Sequence, residues 1–310
     1  MRAIYFDGKQ PVYMENYRKP TAAQGHSLIR VLMSAVCNTD KEVMRGYRPD
    51  FKGVLGHEFV GIVEASDQAE LVGKRVVGEL NEGCGHCIYC RSGREKHCPE
   101  RKVIGMEGLD GTFEDYFVLA NHLIHVVPDS LPTQKAIYTE PLAAALEIPN
   151  QLHISPEDNV AVIGDGRLAL MITEVISLLG VDLTVIGKHP EKLKFFSKYA
   201  KTTREECDSY EVVIDAAGSP SGIKLAKNIV RKKGTIVLKS TYAGNVDMDL
   251  SFFVVNEITI TGSRCGPFLP ALQLLDKGLI DLPPIELWSL RDYKKAFESK
   301  AFKVGFDFSI

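Results

Sequence analysis

One short run constrains this 310-residue chain more than any other: Asn159-Val-Ala-Val-Ile-Gly164-Asp165-Gly166-Arg167-Leu168-Ala169. Four consecutive apolar residues, two of them β-branched valines, read as a strand buried on both faces, as a parallel sheet requires. The glycines then break the strand, and the apolar stretch 168–179 has helical length. Strand, glycine turn and helix in that order open a βαβ unit.

The residues that follow keep the alternation. Strands are expected at 183–187, 211–218, 234–239 and 257–262, with helices at 190–199 and 221–231. Strands alternating with helices of this length predict a doubly wound parallel sheet. In Gly164-x-Gly166-x-x-Ala169 each small residue has a separate task. Gly164 allows the tight turn, Gly166 lets the backbone approach a pyrophosphate, and Ala169 lets helix and strand pack closely. The phosphates then lie on the helix N-terminus. The run is therefore a candidate dinucleotide site, comprising Gly164, Asp165, Gly166, Arg167 and Leu168, with Ala217 and Gly218 at the end of the third strand. At the end of the second strand an NAD site places an acid for the ribose 2′-hydroxyl, about 20 residues beyond the first glycine. Gly187-Lys188-His189 stands there instead. Two potentially cationic side chains suit a 2′-phosphate, so NADP(H) is expected over NAD(H); the plainer reading of Lys188 and His189 is a solvated loop.

The first 146 residues have another character. Short β-rich runs alternate with turn signals and prolines, among them Pro11 and Pro20. Within them lies Cys84-x2-Cys87-x2-Cys90-x7-Cys98. Four thiolates in one loop can close a tetrahedron around zinc with no position left open, which makes such a zinc structural. An iron–sulfur cluster and a pair of disulfides compete for the same four residues. His86 and His97, inside the loop, are not needed as ligands.

A second constellation is spread along the chain. Cys37 ends a buried-looking strand, with Thr39, Asp40 and Glu42 just beyond it and a short helix expected after Thr39-Asp40, either of which could cap it. Gly56-His57-Glu58 follows, and Glu140-Pro141-Leu142 comes much later. Each has a plain reading: a buried free cysteine, a satisfied core histidine, a solvated acid at a helix start. Together, Cys37, His57 and Glu140 form a thiolate–imidazole–carboxylate set that leaves a fourth position for water or substrate, as catalytic zinc needs. Glu58 is then a transient ligand or a neighbour behind the metal, Asp40 an orienting partner for His57, and Thr39 a hydroxyl able to pass on a substrate proton.

Charge and hydropathy narrow the setting. Net charge is −3 and the pI about 6.3, so no electrostatic case exists for nucleic acid or an anionic membrane. No apolar run reaches the ~18–20 residues that span a bilayer. Met1-Arg-Ala-Ile-Tyr-Phe reads as a strand without the apolar core of a signal peptide. A cytoplasmic location is expected, where clustered cysteines favour metal over disulfides.

With these motifs in order, the chain resembles the zinc-containing alcohol dehydrogenase branch of the medium-chain dehydrogenase/reductase superfamily over essentially its whole length. The resemblance implies a GroES-like β-barrel catalytic domain over residues 1–146, an α/β Rossmann domain over 147–266, and a return of 267–310 to the first domain. It implies two zinc ions per chain, a small-molecule alcohol or carbonyl substrate, and hydride transfer to or from NAD(P). Thr39 carries the substrate proton away with help from Glu42 or the ribose. Subunits pair through an edge strand of the Rossmann sheet, here 257–261, as a homodimer or homotetramer. Glu140-Pro141-Leu142 is similar to the polyol, threonine and glucose dehydrogenases, where Glu replaces a Cys. Position 42 departs from the alcohol and sorbitol pattern, with Glu42 where a His is common. The run from Cys37 to Glu42 is similar to archaeal-type glucose dehydrogenases. The stretches Lys239–Gly244 and Gly262–Gly266 resemble a shorter subgroup that includes bacteriochlorophyllide-type dehydrogenases. The expected activity is a secondary-alcohol, polyol or sugar dehydrogenase. A zinc-free quinone or enone reductase on the same scaffold, or a non-catalytic NADPH-binding protein, are the alternatives. Cys207 and Cys265 carry no assigned role.

Overall fold

The computed structural model describes residues 1–206, 209–241 and 245–310; Cys207 and residues 242–244, the end of the stretch that begins at Lys239, lie outside the described residues. The chain divides into two compact units, Met1–Glu140 with Phe268–Ile310, and Pro141–Pro267. The strands in chain order are β1 (Ala3–Phe6), β2 (Pro11–Met14), β3 (His26–Ala35), β4 (Gly53–Val54), β5 (Glu58–Ser66), β6 (Arg75–Gly78), β7 (Asn81–Glu82), β8 (Lys102–Ile104), β9 (Gly108–Leu109), β10 (Tyr116–Ala120) and β11 (Ile124–Val126). The second unit holds β12 (Asn159–Ile163), β13 (Asp182–Ile186), β14 (Lys201–Thr203), β15 (Tyr210–Asp215), β16 (Val230–Leu238) and β17 (Thr259–Gly262); β18 (Ile285–Trp288) and β19 (Lys303–Asp307) belong to the first unit.

The first unit is the GroES-like barrel. Its main sheet runs β11-β6-β5-β3-β19-β18, with β10 also paired to β3, and two small sheets, β2-β1-β4 and β7-β8-β9, flank it. Alternation along the strands turns one face inward. Edge-on aromatic pairs, Phe59 with Phe117 at 4.6 Å and Phe113 with Phe306 at 5.0 Å, fill the interior. The closing segment is part of this core, because β19 pairs directly with β3.

The second unit is a Rossmann-like sheet of six parallel strands in the order β14-β13-β12-β15-β16-β17. Val160, Ala161, Val162 and Ile163 of β12 are all buried, as its central place demands. In the helix Arg167–Ser177 every residue from Ala169 to Ile176 is buried, the polar Thr173 and Glu174 included, so the helix is covered all round rather than along one stripe. The helix Pro220–Ile229 shows the contrasting pattern. It starts on a proline whose missing N–H costs nothing at that position, and it buries Gly222, Ile223, Ala226 and Ile229 on one face.

The segment after β13 differs from the sequence expectation. The helix after β13 covers only Pro190–Leu193; residues 194–200 continue as turns around the fully buried Phe196. A short strand, β14, follows and caps the sheet edge. Beyond Pro283-Pro284 the chain forms β18, a 3₁₀ turn at Leu290–Asp292 and the helix Tyr293–Glu298. These segments are too short for periodicity to distinguish them. Among the described residues no helix is long and apolar enough to cross a membrane.

The barrel unit also buries a carboxyl group at a cost. Glu114 is 1% exposed, and its Oε2 has no hydrogen-bond partner. Burial first, then the nearby carboxylates of Asp110 and Asp115, hold its pKa well above the ordinary glutamate range. Between the two values the native state holds a proton that the unfolded chain has lost, so stability falls as pH rises through this window. Glu114→Gln should therefore raise the melting temperature more at about pH 8 than at about pH 5, as read by calorimetry; an equal change at both would show the group ionised at no cost.

Candidate functional site

Strand register assembles the first cluster. Along β3, Ala35 stands opposite Glu58 of β5 on one side and Gly305 of β19 on the other. Cys37 lies two residues beyond Ala35, and Lys303 two residues before Gly305 on an antiparallel neighbour. The ends of three adjacent strands therefore deliver Cys37, His57, Glu58 and Lys303 to one place. Ser34 Oγ donates to the Glu58 carbonyl at 2.8 Å and lies 2.6 Å from the Thr112 hydroxyl, which locks the register. Gly56 makes the turn into His57 with φ +95°, and a Cβ there would sit 2.4 Å from the ring of Phe113. Only glycine suits both conditions.

The ligand atoms of Cys37, His57 and Glu58 lie within 4.8 Å of one another. His57 and Glu58 are buried, and Asp40 is completely so. Asp40 serves two partners. Its Oδ2 accepts the Cys37 N–H at 2.8 Å, and its Oδ1 lies 3.1 Å from His57 Nδ1. The capping expectation is corrected here. Cys37 is the N-cap of the helix Asn38–Glu42, and Asp40 reaches back to it from inside the first turn. The Thr39 hydroxyl lies 3.6 Å from Cys37 Sγ.

Lys303 Nζ is in direct contact with Glu58 Oε2, both side chains being buried. Burial by itself would lower the His57 pKa, but the Asp40 carboxylate and then Cys37 outweigh it and raise it well above that of free imidazole. Glu58 Oε1, Asp40 Oδ1 and His57 Nδ1 make no well-aligned hydrogen bond. A buried thiol, imidazole and two carboxylates, with one lysine against them, bring several ligand-type donor atoms into one water-poor place. Sulfur, imidazole nitrogen and carboxylate oxygen together are a donor set suited to zinc.

Two expected members are not among these three. Glu140 is half-buried near the start of the helix Thr139–Gln151, and Glu58 is the carboxylate whose oxygen lies within 4.8 Å of both Cys37 and His57. Glu42 is paired with Arg45, 2.7 Å away, rather than with Thr39.

The four-cysteine loop closes on itself. The sulfurs of Cys84, Cys87, Cys90 and Cys98 lie within 4.8 Å of one another, with Cys87 to Cys90 at 3.5 Å and Cys84 to Cys90 at 4.0 Å. A tetrahedron with Zn–S bonds of ~2.3 Å has edges of about 3.8 Å. All four are free thiols, so the disulfide alternative is not met. Backbone N–H groups, that of His86 foremost, lower the Cys84 pKa to about 6, whereas desolvation above all pushes Cys90 up to about 12. His86 and His97 are exposed.

In the second unit Gly164 has φ +126°, and a Cβ would meet the Ala216 carbonyl at 2.7 Å, so the turn lies tight against the end of β15. Above Gly166, by contrast, nothing lies within 4 Å of a Cβ position. Open space at the N-terminus of the helix Arg167–Ser177 suits a pyrophosphate. Arg167 and Leu168 are half-buried in its first turn, and Ala217 and Gly218 border the turn where Ala217 N–H bonds to Asp215 Oδ1 at 3.0 Å. The expectation that no carboxylate stands at the end of β13 is corrected. Asp165 reaches across from the turn, and its Oδ2 accepts the N–H groups of Lys188 at 2.7 Å and His189 at 2.8 Å.

Sequence reasoning missed Lys303 and the placement of Asp165. A single lysine opening the strand Lys303-Val-Gly-Phe-Asp was the one signal for the former, and a glycine where an acid was sought was the signal for the latter.

Residues 23–129 match the family model described as the alcohol dehydrogenase GroES-like domain. The chain is 30% identical to D-arabitol-phosphate dehydrogenase of Enterococcus avium, covering 90% of this chain and 88% of the relative. It is 26% identical to erythritol/L-threitol dehydrogenase of Mycolicibacterium smegmatis, covering 96% and 93%. Among solved structures, the alcohol dehydrogenase TADH from Thermus sp. ATN1 superposes with a TM-score of 0.87 at 26% identity, covering 99% of both chains.

The Lys303–Glu58 contact carries its own test. Removing one partner of a buried ion pair costs about 3–5 kcal/mol, whereas replacing both is far milder. In urea unfolding of chelator-treated protein, Lys303→Met should lose roughly that amount, and Lys303→Met with Glu58→Gln should recover most of it; additive losses would mean the two groups do not interact.

Proposed function

The chain belongs to the zinc-type medium-chain alcohol dehydrogenase family, and from that premise we propose that it is a zinc-dependent enzyme moving hydride between a secondary alcohol, polyol or sugar hydroxyl and a nicotinamide dinucleotide. The observation that carries this reading is the convergence of Cys37, His57 and a carboxylate in one buried cluster, with Asp40 behind them. The names of the relatives, which are polyol and polyol-phosphate dehydrogenases, support the substrate class.

In this reading Cys37 and His57 hold the catalytic metal. Asp40 fixes the tautomer of His57 by taking its Nδ1 side, which leaves Nε2 for coordination. A carboxylate completes the set. Glu58 is at hand and is tied to Lys303; Glu140 is the ligand that the resemblance implies. Zinc bound there supplies Lewis acidity to the substrate oxygen. The Thr39 hydroxyl, beside Cys37, accepts the substrate proton and passes it outward. Glu42, engaged by Arg45, is left out of that relay. The Gly164–Ala169 turn receives the cofactor pyrophosphate. Cys84, Cys87, Cys90 and Cys98 hold a second, structural zinc, which makes two per chain. The preference for NADP(H) expected from Lys188 and His189 is not carried into this reading, because Asp165 occupies both of their backbone N–H groups. The edge strand β17, with Ile260 exposed and Leu250, Val254 and Val255 exposed on the preceding helix, is proposed as the pairing edge of a homodimer or homotetramer.

Cys37→Ser or His57→Ala should lower turnover on a polyol panel by more than roughly 100-fold while leaving NADH binding intact; full activity in either variant would end the mechanism. Zinc content by mass spectrometry assigns the third ligand. The substitution that takes the count from about two to about one per chain, Glu58→Gln or Glu140→Gln, identifies it, and a wild-type count of one would favour a zinc-free reductase on this scaffold.

A further inference from the structure

The loop after β13 has an unusual composition for a dinucleotide site: a glycine where the acid is sought, followed by two basic residues. The structure explains the glycine. A Cβ on Gly187 would lie 2.7 Å from Leu193 Cδ2, 2.9 Å from Asp165 Cβ and 3.1 Å from its Oδ2. The space that an acid at position 187 would take is shared by the Leu193 side chain and the carboxylate of Asp165, which enters from the neighbouring turn. The two strand ends are laced together, since Gly164 N–H bonds to the Ile186 carbonyl at 2.9 Å.

We propose that Asp165 is the acid that receives the ribose diol of the adenosine half, and that it sets this site for NAD(H) against NADP(H). The inference rests on the reading of the chain as a nicotinamide-dependent dehydrogenase and reverses the cofactor preference that the loop composition suggests. Three features carry it. First, the donors that a 2′-phosphate would seek are already engaged. The Lys188 and His189 N–H groups both point to Asp165 Oδ2, and His189 Nδ1 lies 2.9 Å from the same atom. Second, the basic side chains are turned to other partners. Lys188 Nζ lies 3.4 Å from Ser221 Oγ, and Lys192 Nζ lies 3.9 Å from Asp165 Oδ1. Third, Asp165 is ionised. Burial opposes ionisation, but the hydrogen bonds from His189 and Lys188 outweigh it and hold the pKa below the ordinary aspartate range. Oδ1, which has only the long contact to Lys192, can accept a ribose hydroxyl. A 2′-phosphate offers no donor in its ionised form and brings like charge against the carboxylate.

Fluorescence titration of the full-length protein with NADH and NADPH tests this without recourse to turnover. Wild type should bind NADH at least roughly tenfold more tightly, and Asp165→Asn should bring the NADPH-to-NADH ratio of Kd towards one. Because Asn could also loosen the loop, two further variants are compared, the double variant Asp165→Gly/Gly187→Asp and Asp165→Glu. The double variant tests whether the strand end tolerates an acid once Asp165 is gone, while the conservative Asp165→Glu, which keeps the charge but not the short reach to the Lys188 and His189 N–H groups, should retain the NADH preference that a purely loop-bracing Asp165 would lose. Equal or tighter NADPH binding by wild type, or an unchanged ratio in Asp165→Asn, would overturn the inference. Failure of wild type to bind either dinucleotide would overturn the dehydrogenase reading on which it stands.

Discussion

The register between β3, β5 and β19 is the constraint on which the barrel site depends. Because Ala35 is matched to both Glu58 and Gly305, Cys37, His57, Glu58 and Lys303 meet at one end of the sheet. A slip by one residue on either side would turn Glu58 or Lys303 to the other face of the sheet and strand a buried charge without its partner. The hydroxyls of Ser34 and Thr112 and the absence of a side chain at Gly56 guard that register. Asp40 adds a local brace. One carboxylate holds both the backbone of Cys37 and the ring of His57, so two candidate ligands twenty residues apart share a single support.

Both candidate sites answer one electrostatic question, which is how a buried anion is balanced. In the barrel unit Lys303 faces one oxygen of Glu58 and leaves the other without a hydrogen bond. The free oxygen of Glu58, the Cys37 sulfur and the His57 ring are then donors within reach of a cation. In the Rossmann-like unit Asp165 is balanced by backbone N–H groups and a histidine. Its surplus is an acceptor for hydroxyl groups rather than a seat for metal. Polar chemistry of the two kinds follows from what lies next to each carboxylate.

Much of this was legible in the sequence, and the reason differs from case to case. The run from Asn159 to Ala169 is local, so hydrophobicity and glycine spacing announce both the strand and the turn. The four cysteines lie within one loop, and their spacing alone brings the sulfurs together. What could not be read depended on long-range pairing. Glu58 and Lys303 are 245 residues apart, and no motif links them. Asp165 and the loop at 187–189 are separated by a whole helix and strand, so the missing acid at Gly187 looked like an absence when it was a relocation. Glu140 illustrates the converse. The resemblance implied it as a ligand, whereas pairing across β3 and β5 puts the adjacent Glu58 within reach of Cys37 and His57. The short segment 194–200 was misjudged because a few residues do not display a period.

The central claim is that the cluster of Cys37, His57 and a carboxylate exists to hold a metal. Anomalous diffraction at the zinc edge from crystals of the protein as purified tests it most directly, since it locates each ion and does not depend on finding a substrate. The account predicts two peaks per chain, one enclosed by Cys84, Cys87, Cys90 and Cys98 and one bonded to Cys37 and His57 at the ~2.0–2.3 Å typical of zinc. A single peak in the four-cysteine loop, from zinc-replete protein with Cys37 and His57 ordered and bare, would contradict it.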